Sequence, residues 1–334
     1  MVDAGATGEA PTPIERPAAP LPPGFVHRRV VVDVPASSAN LGAGFDTLAL
    51  ALDLRNRVEV EVVEGPGLEL VVEGEGAGVL SVGRDNHVVV ALETGLRWAL
   101  GEVPPGLGFH IRMENAIPVA RGLGSSASAV VAGLVAANAL TGDRLDQRRL
   151  LTLAIEIEGH PDNVAAVLLG GFVVVAMVEG RPETVRFDAP RDLRTVLFVP
   201  DLQMATTDMR AALPREVPHR DAVFNLGRVA LAVAGLASGR YDVLGAGTED
   251  RLHQPYRARV YPALPRLIAA ARAAGAIGAC LSGSGATVLA FGASMQSLTE
   301  IGSAFMAVAA DLDIGGSVQI VAPRNAGTVV IETG

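Results

Sequence analysis

Residues 121–133, RGLGSSASAVVAG, narrow the folds open to this chain more than any other stretch. Glycines at 122 and 124 and serines at 125, 126 and 128 lead straight into an alanine- and valine-rich run, the pattern of a loop that turns into a helix. A helix start leaves backbone N–H groups without partners and carries the positive end of the helix dipole, so it suits an anion. Glycines let the backbone approach a phosphate closely, and the hydroxyls of Ser125, Ser126 and Ser128 add donors or a magnesium ligand. Other designs fit less well. A GxxxxGK[ST] phosphate loop needs a lysine, and all 27 Lys+Arg positions are arginine; the same absence excludes Schiff-base chemistry. GLGSSA also meets the loose dinucleotide pattern GxGxxG/A, but that loop should lead through its helix to an acidic residue ending a second strand. Here Asp143 and Asp146 fall in a polar turn before another helix. The plainest alternative is a serine cap on a buried helix, which needs no ligand.

Two more loops of small residues accompany this one. In PASSANLGAGFD, residues 35–46, Asn40 and a terminal Asp46 sit among glycines and serines; alone it reads as a tight turn. In CLSGSGATVLAF, residues 280–291, Gly283 and Gly285 flank Ser284 between apolar runs; alone it reads as a hairpin turn.

Periodicity places these loops among mixed elements. A strand at 30–35 leads into the loop at 36–46, and Val58, Val60 and Val62 alternate with polar residues in a second strand at 57–64, with LELVVEG expected to pair with it. A helix starts at about Asn86, with Val89, Leu92, Leu96 and Leu100 on one face. A strand through Phe109, Ile111 and Met113 then delivers the chain to residue 121. The helix QRRLLTLAIEIEG ends at a turn, GHPDN, residues 159–163, and strands are expected at 171–178 and 195–200 with a domain boundary near 190. Later helices fall near 222–238, 265–274 and 297–310, and strands at 276–281, 287–291, 317–321 and 328–331. Without a regular βαβ rhythm the fold class is α+β.

Composition bounds the function classes. Hydrophobic residues make up 49%, as in a folded protein, and no apolar run is expected to be long and uninterrupted enough to cross a bilayer. Residues 1–24, rich in Pro and Ala, read as a disordered arm without the charged start and apolar stretch of a secretory signal. A single cysteine, Cys280, fits a reducing, cytoplasmic setting and reads as a small buried apolar residue. A net charge of -9 argues against nucleic acid and anionic membranes as partners and leaves small molecules. No HExxH or CxxC spacing points to zinc.

In order and spacing the three loops resemble the GHMP small-molecule kinases. PVARGLGSSA, residues 118–127, matches the family motif PxxxGLGSSA throughout, and PASSANLGAGFD and EGHPDNVAA are similar to members that phosphorylate homoserine. The resemblance runs from about residue 30 to the C-terminus. It implies a two-domain α+β fold: a ribosomal-protein-S5-domain-2-like ATP-binding domain with a left-handed crossover at 25–190, a ferredoxin-like domain at 191–334, and a site between them. It implies transfer of the γ-phosphoryl group of ATP, with Mg2+, to the side-chain hydroxyl of L-homoserine, on the route to threonine. Around the ATP phosphates it places Pro118, Arg121, Gly122, Leu123, Gly124, Ser125, Ser126, Ala127 and Ser128, with Asn86 near the adenine. For Mg2+ it offers Ser126 and Glu158, with Glu156 the alternative; the two glutamates cannot share one helix face.

For the acceptor, a zwitterion, it implies Arg210 and Arg257 at the carboxylate with Thr206 nearby, Arg259 being the rival to Arg257. Asp46 and Asn40 would receive the ammonium, Asn163 would orient the reacting hydroxyl, and Gly283 would help close the site. An amide cannot act as a base, and phosphoryl transfer through a loose transition state rests on positioning and charge stabilisation, so no dedicated base is expected. Asp162 and His160 read as a turn aspartate and a structural histidine. The resemblance admits a homodimer. The rivals are a kinase for another small alcohol, such as mevalonate or a sugar, and a binding protein that keeps the fold without turnover.

Overall fold

Valine at alternate positions draws the N-terminal half into one large sheet. In the computed structural model, which describes residues 20–334, β1 (Arg29–Ala39) pairs antiparallel with β2 (Leu48–Glu64) along nearly its whole length, with a bulge between Pro35 and Ala36. The other edge of β2 takes β4 (Leu107–Asn115) along residues 57–64 and β5 (Phe172–Val178) at 48–50. β3 (Leu68–Gly74) lies parallel to β4, β6 (Arg181–Phe187) extends β5, and the last strand, β11 (Val329–Thr333), returns to pair with β1. Val30, Val32 and Val34 face a core shared with α1 (His87–Leu100), α2 (Ser125–Leu140), α3 (Gln147–Glu158) and α4 (Pro161–Leu169). α2 is the hub, with 12 of its 16 residues buried and no polar face. A helix enclosed on all sides must approach its neighbours closely: a Cβ on Gly133 would collide with the Val88 carbonyl of α1.

A second, four-stranded antiparallel sheet holds β7 (Arg194–Pro200), β8 (Gly278–Leu281), β9 (Val288–Gly292) and β10 (Gly316–Val321) in the order β10-β7-β9-β8. That order, fourth, first, third, second, is the ferredoxin-like one. One face packs Val196, Phe198 and Val288 on α9 (Leu264–Ala273) and α10 (Met295–Asp311). The other packs Leu197, Leu289 and Phe291 against Leu48, Leu50 and Phe172 of the first sheet and Leu236 of α6 (His219–Ser238). The two sheets therefore share a core, and the short helices α5 (Thr206–Ala211), α7 (Leu244–Gly247) and α8 (Gln254–Arg257) complete the second unit.

Several expectations change. The segment ASSA belongs to β1, since Ser37 and Ser38 pair with Ala51 and Leu50, so the loop proper spans 40–46. β2 starts nine residues before the alternation begins because its first half, LALAL, is buried on both faces and carries no period-two signal. LELVVEG pairs with β4 and not with β2: β4, apolar on alternate positions, takes the central place, while β3 keeps the edge with Glu69, Val71 and Glu73 exposed. Within GHPDN the turn is shorter than expected, because Pro161 opens α4, the first-turn position proline favours. The polar edge strand β6 had no apolar period to reveal it. By length and composition α6 does reach what a membrane span requires, against expectation; Asn225 and Arg228, inside it, bond to Asp250 and Glu249 of the protein. Of the arm at 1–24, residues 1–19 lie outside the described residues.

Candidate active site

The three small-residue loops meet where the two sheets join. Ser37 N–H donates to Leu123 O at 3.1 Å, Gly283 N–H to Ala39 O at 3.1 Å and Thr287 N–H to Arg121 O at 3.0 Å. The Ser282 hydroxyl donates to Gly122 O at 2.7 Å and lies 2.8 Å from Ser38 Oγ. Gly124 is the residue before α2, with φ +71°, and a Cβ there would collide with the Ser37 hydroxyl. Among the described residues no side chain caps α2, so its first N–H groups stay available to a ligand in the cavity alongside. That cavity holds about 390 Å³.

At one end of the cavity, Asn86 caps α1, accepting from Val88 N–H at 2.9 Å and donating to Ser81 O at 2.7 Å. Ser126 Oγ donates to Glu158 Oε2 at 2.7 Å, and His87 Nδ1 lies 2.9 Å from the same Oγ. A carboxylate only accepts, so the hydroxyl proton points to Glu158 and His87 supplies an N–H. Two adjacent hard oxygens at an uncapped helix start fit Mg2+, which takes few protein ligands beside phosphate oxygens. Glu156 is exposed and does not line the cavity.

Elsewhere in the cavity, Arg210 forks onto Asp46, with Nη2–Oδ1 at 2.7 Å and Nη1–Oδ2 at 3.0 Å. The pairing raises the pKa of Arg210 above its usual value, against the opposing effect of burial. Asn40 braces this corner, accepting from Asp46 N–H at 3.0 Å and donating to Gly283 O at 2.8 Å. Arg257 is buried, and burial, with repulsion from Arg210, pushes it down to about 10, still charged at neutral pH. Its Nη1 donates to Gly283 O at 2.8 Å, and it makes no ion pair among the described residues. The Phe45 ring lies 5.5 Å and 5.4 Å from the two guanidinium groups. Thr206 Oγ1 lies 3.1 Å from Ser284 Oγ. Asn163 Oδ1 accepts from Ser37 Oγ at 2.8 Å, which leaves its NH2 as a donor.

The cavity thus brings together Asn40, Asp46, Asn86, Ser125, Ser126, Glu158, Asn163, Thr206, Arg210, Arg257 and Gly283, with Gly122, Leu123 and Gly124. Arg121 also lines it, but its guanidinium binds the carbonyls of Pro200 at 2.7 Å and Asp201 at 2.9 Å, tying the loop to the end of β7. Pro118, Ala127 and Ser128 are buried off the cavity; one turn into α2, Ser128 donates to Pro35 O at 2.7 Å. Arg259 is exposed. His160 and Asp162 do reach the cavity: His160 lies 3.4 Å from Asp162 and 3.7 Å from Glu158. Burial opposes its protonation, but the two carboxylates outweigh it and raise its pKa. Sequence reasoning missed His87, Asn56 and Asn115. The only signal was polarity interrupting apolar runs, and for His87 its place next to a helix cap.

Family comparison agrees with this geometry. Residues 86–171 match the model of the GHMP kinases N terminal domain and residues 232–308 that of GHMP kinases C terminal. The homoserine kinase of Moorella thermoacetica is 42% identical over 90% of this chain and 99% of its own length. That of Corynebacterium efficiens is 47% identical over 79% of this chain and 86% of its own. The crystal structure of homoserine kinase from Cytophaga hutchinsonii superposes with a TM-score of 0.82 at 30% identity, covering 92% of this chain and 98% of that one. Phosphate loop, paired charges and family match converge: the chain belongs to the GHMP kinases and, among them, to the homoserine kinases.

Proposed function

We propose that the chain transfers the γ-phosphoryl group of ATP to the side-chain hydroxyl of L-homoserine, giving ADP and O-phospho-L-homoserine for threonine synthesis in a reducing, cytoplasmic setting. The observation that carries the reading is Arg257, a buried guanidinium without an ion pair among the described residues, in the same cavity as the Asp46–Arg210 pair and the glycine-serine loop. Two guanidinium groups, with the carboxylates of Asp46 and Asp162 lining the same cavity, offer partners for an amino acid's two charges.

In this reading the first N–H groups of α2 and the hydroxyl of Ser125 receive the phosphates. Ser126 and Glu158 would hold Mg2+, which supplies charge neutralisation across phosphate oxygens. Arg257 takes the substrate carboxylate, and Arg210 joins it by turning part of its fork from Asp46, whose freed oxygen accepts the ammonium. Asn163, fixed through Ser37, donates from its NH2 to the substrate hydroxyl and aims that oxygen at the phosphate. No base is assigned, since alignment and charge stabilisation carry most of the acceleration. Residues 25–190 and 191–334 both line the cavity, and β11 straps the second to the first. The test is ADP release from Mg-ATP with L-homoserine, L-serine, L-threonine and mevalonate side by side. Homoserine should win clearly; turnover with mevalonate and none with homoserine would overturn the acceptor assignment.

A further inference from the structure

The HQPYR segment contributes more than an arginine. His253 precedes α8, is fully buried, and does not line the cavity. Its Nε2 lies 2.7 Å from the carbonyl oxygen of Gly42 and its Nδ1 lies 3.2 Å from Arg257 Nη1. These partners settle the tautomer: a carbonyl only accepts, so Nε2 carries the hydrogen, and a guanidinium only donates, so Nδ1 presents a lone pair. A doubly protonated ring would set N–H against N–H inside the protein. Asp250 Oδ2 lies 3.6 Å from Nε2, but its carboxylate already accepts from the backbone N–H of Leu252 at 2.8 Å, His253 at 2.9 Å and Gln254 at 2.6 Å and from Asn225 Nδ2 at 2.8 Å. Asp250 therefore fixes the backbone that carries the imidazole.

We propose that His253 is a positioning residue, a neutral imidazole that aims Arg257 at the substrate carboxylate and sets its distance from the ammonium-binding loop. The proposal rests on the reading of Arg257 given above. Its other bonds run to backbone, to Gly283 O at 2.8 Å and, weakly, to Met209 O at 3.5 Å, so His253 is the one side chain bonded to it among the described residues. Gly42 sits in the 40–46 loop that ends on Asp46. One ring thus joins the arginine for one end of a zwitterion to the loop bearing the aspartate for the other. The Phe45 ring of the same loop, 5.3 Å from the imidazole, packs on both.

The experiment separates the two nitrogens in the full-length protein. In His253→Gln the amide can replace the Nε2 donor toward Gly42 but leaves Arg257 without its acceptor; in His253→Asn the carbonyl can replace Nδ1 and the Gly42 tie is lost. The glutamine variant should raise KM for L-homoserine about tenfold, the scale of one hydrogen bond to a charged group, with kcat and KM for ATP close to wild type. The asparagine variant should recover most of that loss. Unchanged KM for homoserine in His253→Gln, or parallel losses for ATP and homoserine in both variants, overturns the proposal. Nitrogen-15 NMR of histidine-labelled wild type supplies a readout that needs no variant to fold: a ring protonated at Nε2 alone is expected, and a ring protonated at Nδ1 refutes the idea. Wild type that turns over no homoserine would sink the proposed reaction, whereas a failed tautomer or KM result with active wild type sinks only the role of His253.

Discussion

On the wall built from residues 118–128, what meets a ligand is mostly backbone: the uncapped N–H groups of α2, presented by glycines and screened by small hydroxyls. On the facing wall it is side-chain charge, with Asp46 and Arg210 paired across 164 residues of chain and Arg257 buried near them. On the first wall the backbone direction is set locally, by the left-handed φ of Gly124 and its packing on Ser37. In the proposed reaction the second exchanges partners, since Arg210 and Asp46 bind each other until a zwitterion takes their place. Phosphates, alike in every nucleotide, suit a fixed receptor, whereas discrimination among small alcohols falls to groups whose charges have to be matched.

Five measurements test this division, taken from the largest expected effect to the smallest. Glu158→Gln should lower kcat by about 10²–10³-fold, the scale of losing a charge-stabilising group, while Glu156→Gln stays near wild type; the reverse ranking would move the metal site. Asp46→Asn and Arg210→Met should each lower kcat/KM for homoserine about ten- to hundredfold, the scale of losing hydrogen bonds to a charged group, and leave KM for ATP alone. Their double mutant should fall well short of additivity; full additivity would mean that the pair does not act together. Asn163→Ala should cut kcat roughly tenfold or more, as for a lost positioning contact, with ATP affinity nearly intact, and an unchanged rate removes its assigned role. Gly124→Ala forces a side chain into the left-handed region and onto Ser37, at a cost of roughly 1–3 kcal/mol. It should lower Tm and weaken ATP more than homoserine; equal weakening would blur the two walls.

The smallest effect is on stability. Burial holds His253 below its usual pKa against the opposing Asp250 carboxylate, with repulsion from Arg257 added. The unfolded ring titrates near 6.5, so the contribution is complete above that pH. It drains as pH falls below about 6.5, by up to ~1.4 kcal/mol per pH unit, because the unfolded chain binds a proton that the folded one refuses. Denaturation curves of wild type and His253→Asn should therefore diverge in acid-side slope; identical slopes would mean that the buried ring is protonated.

Local pattern carried much of this molecule. The helix opening at the glycine-serine loop, the helix start near Asn86 and the strand through Phe109 and Met113 were legible because one short window holds both the period and its punctuation. The first half of β2 was not, since burial on both faces erases alternation, and neither was the partner of β3, because β4 arrives between the two strands only after α1 has crossed over. The same split runs through the site. Ser126, Glu158, Asn163 and Arg257 stood out by motif position, whereas His87 and His253 look ordinary in the chain and acquire their roles from partners 39 and 211 residues away.

Residue order alone pointed to a lysine-free helix start suited to an anion, and to the family that owns that loop, because glycine conformation, helix ends and missing side chains are local properties. Tertiary structure decided which charges face each other, which arginine of the HQPYRAR segment is buried, and which nitrogen of His253 bears the proton. Those choices depend on desolvation and on contacts between distant segments, and no stretch of sequence holds both halves of such an interaction.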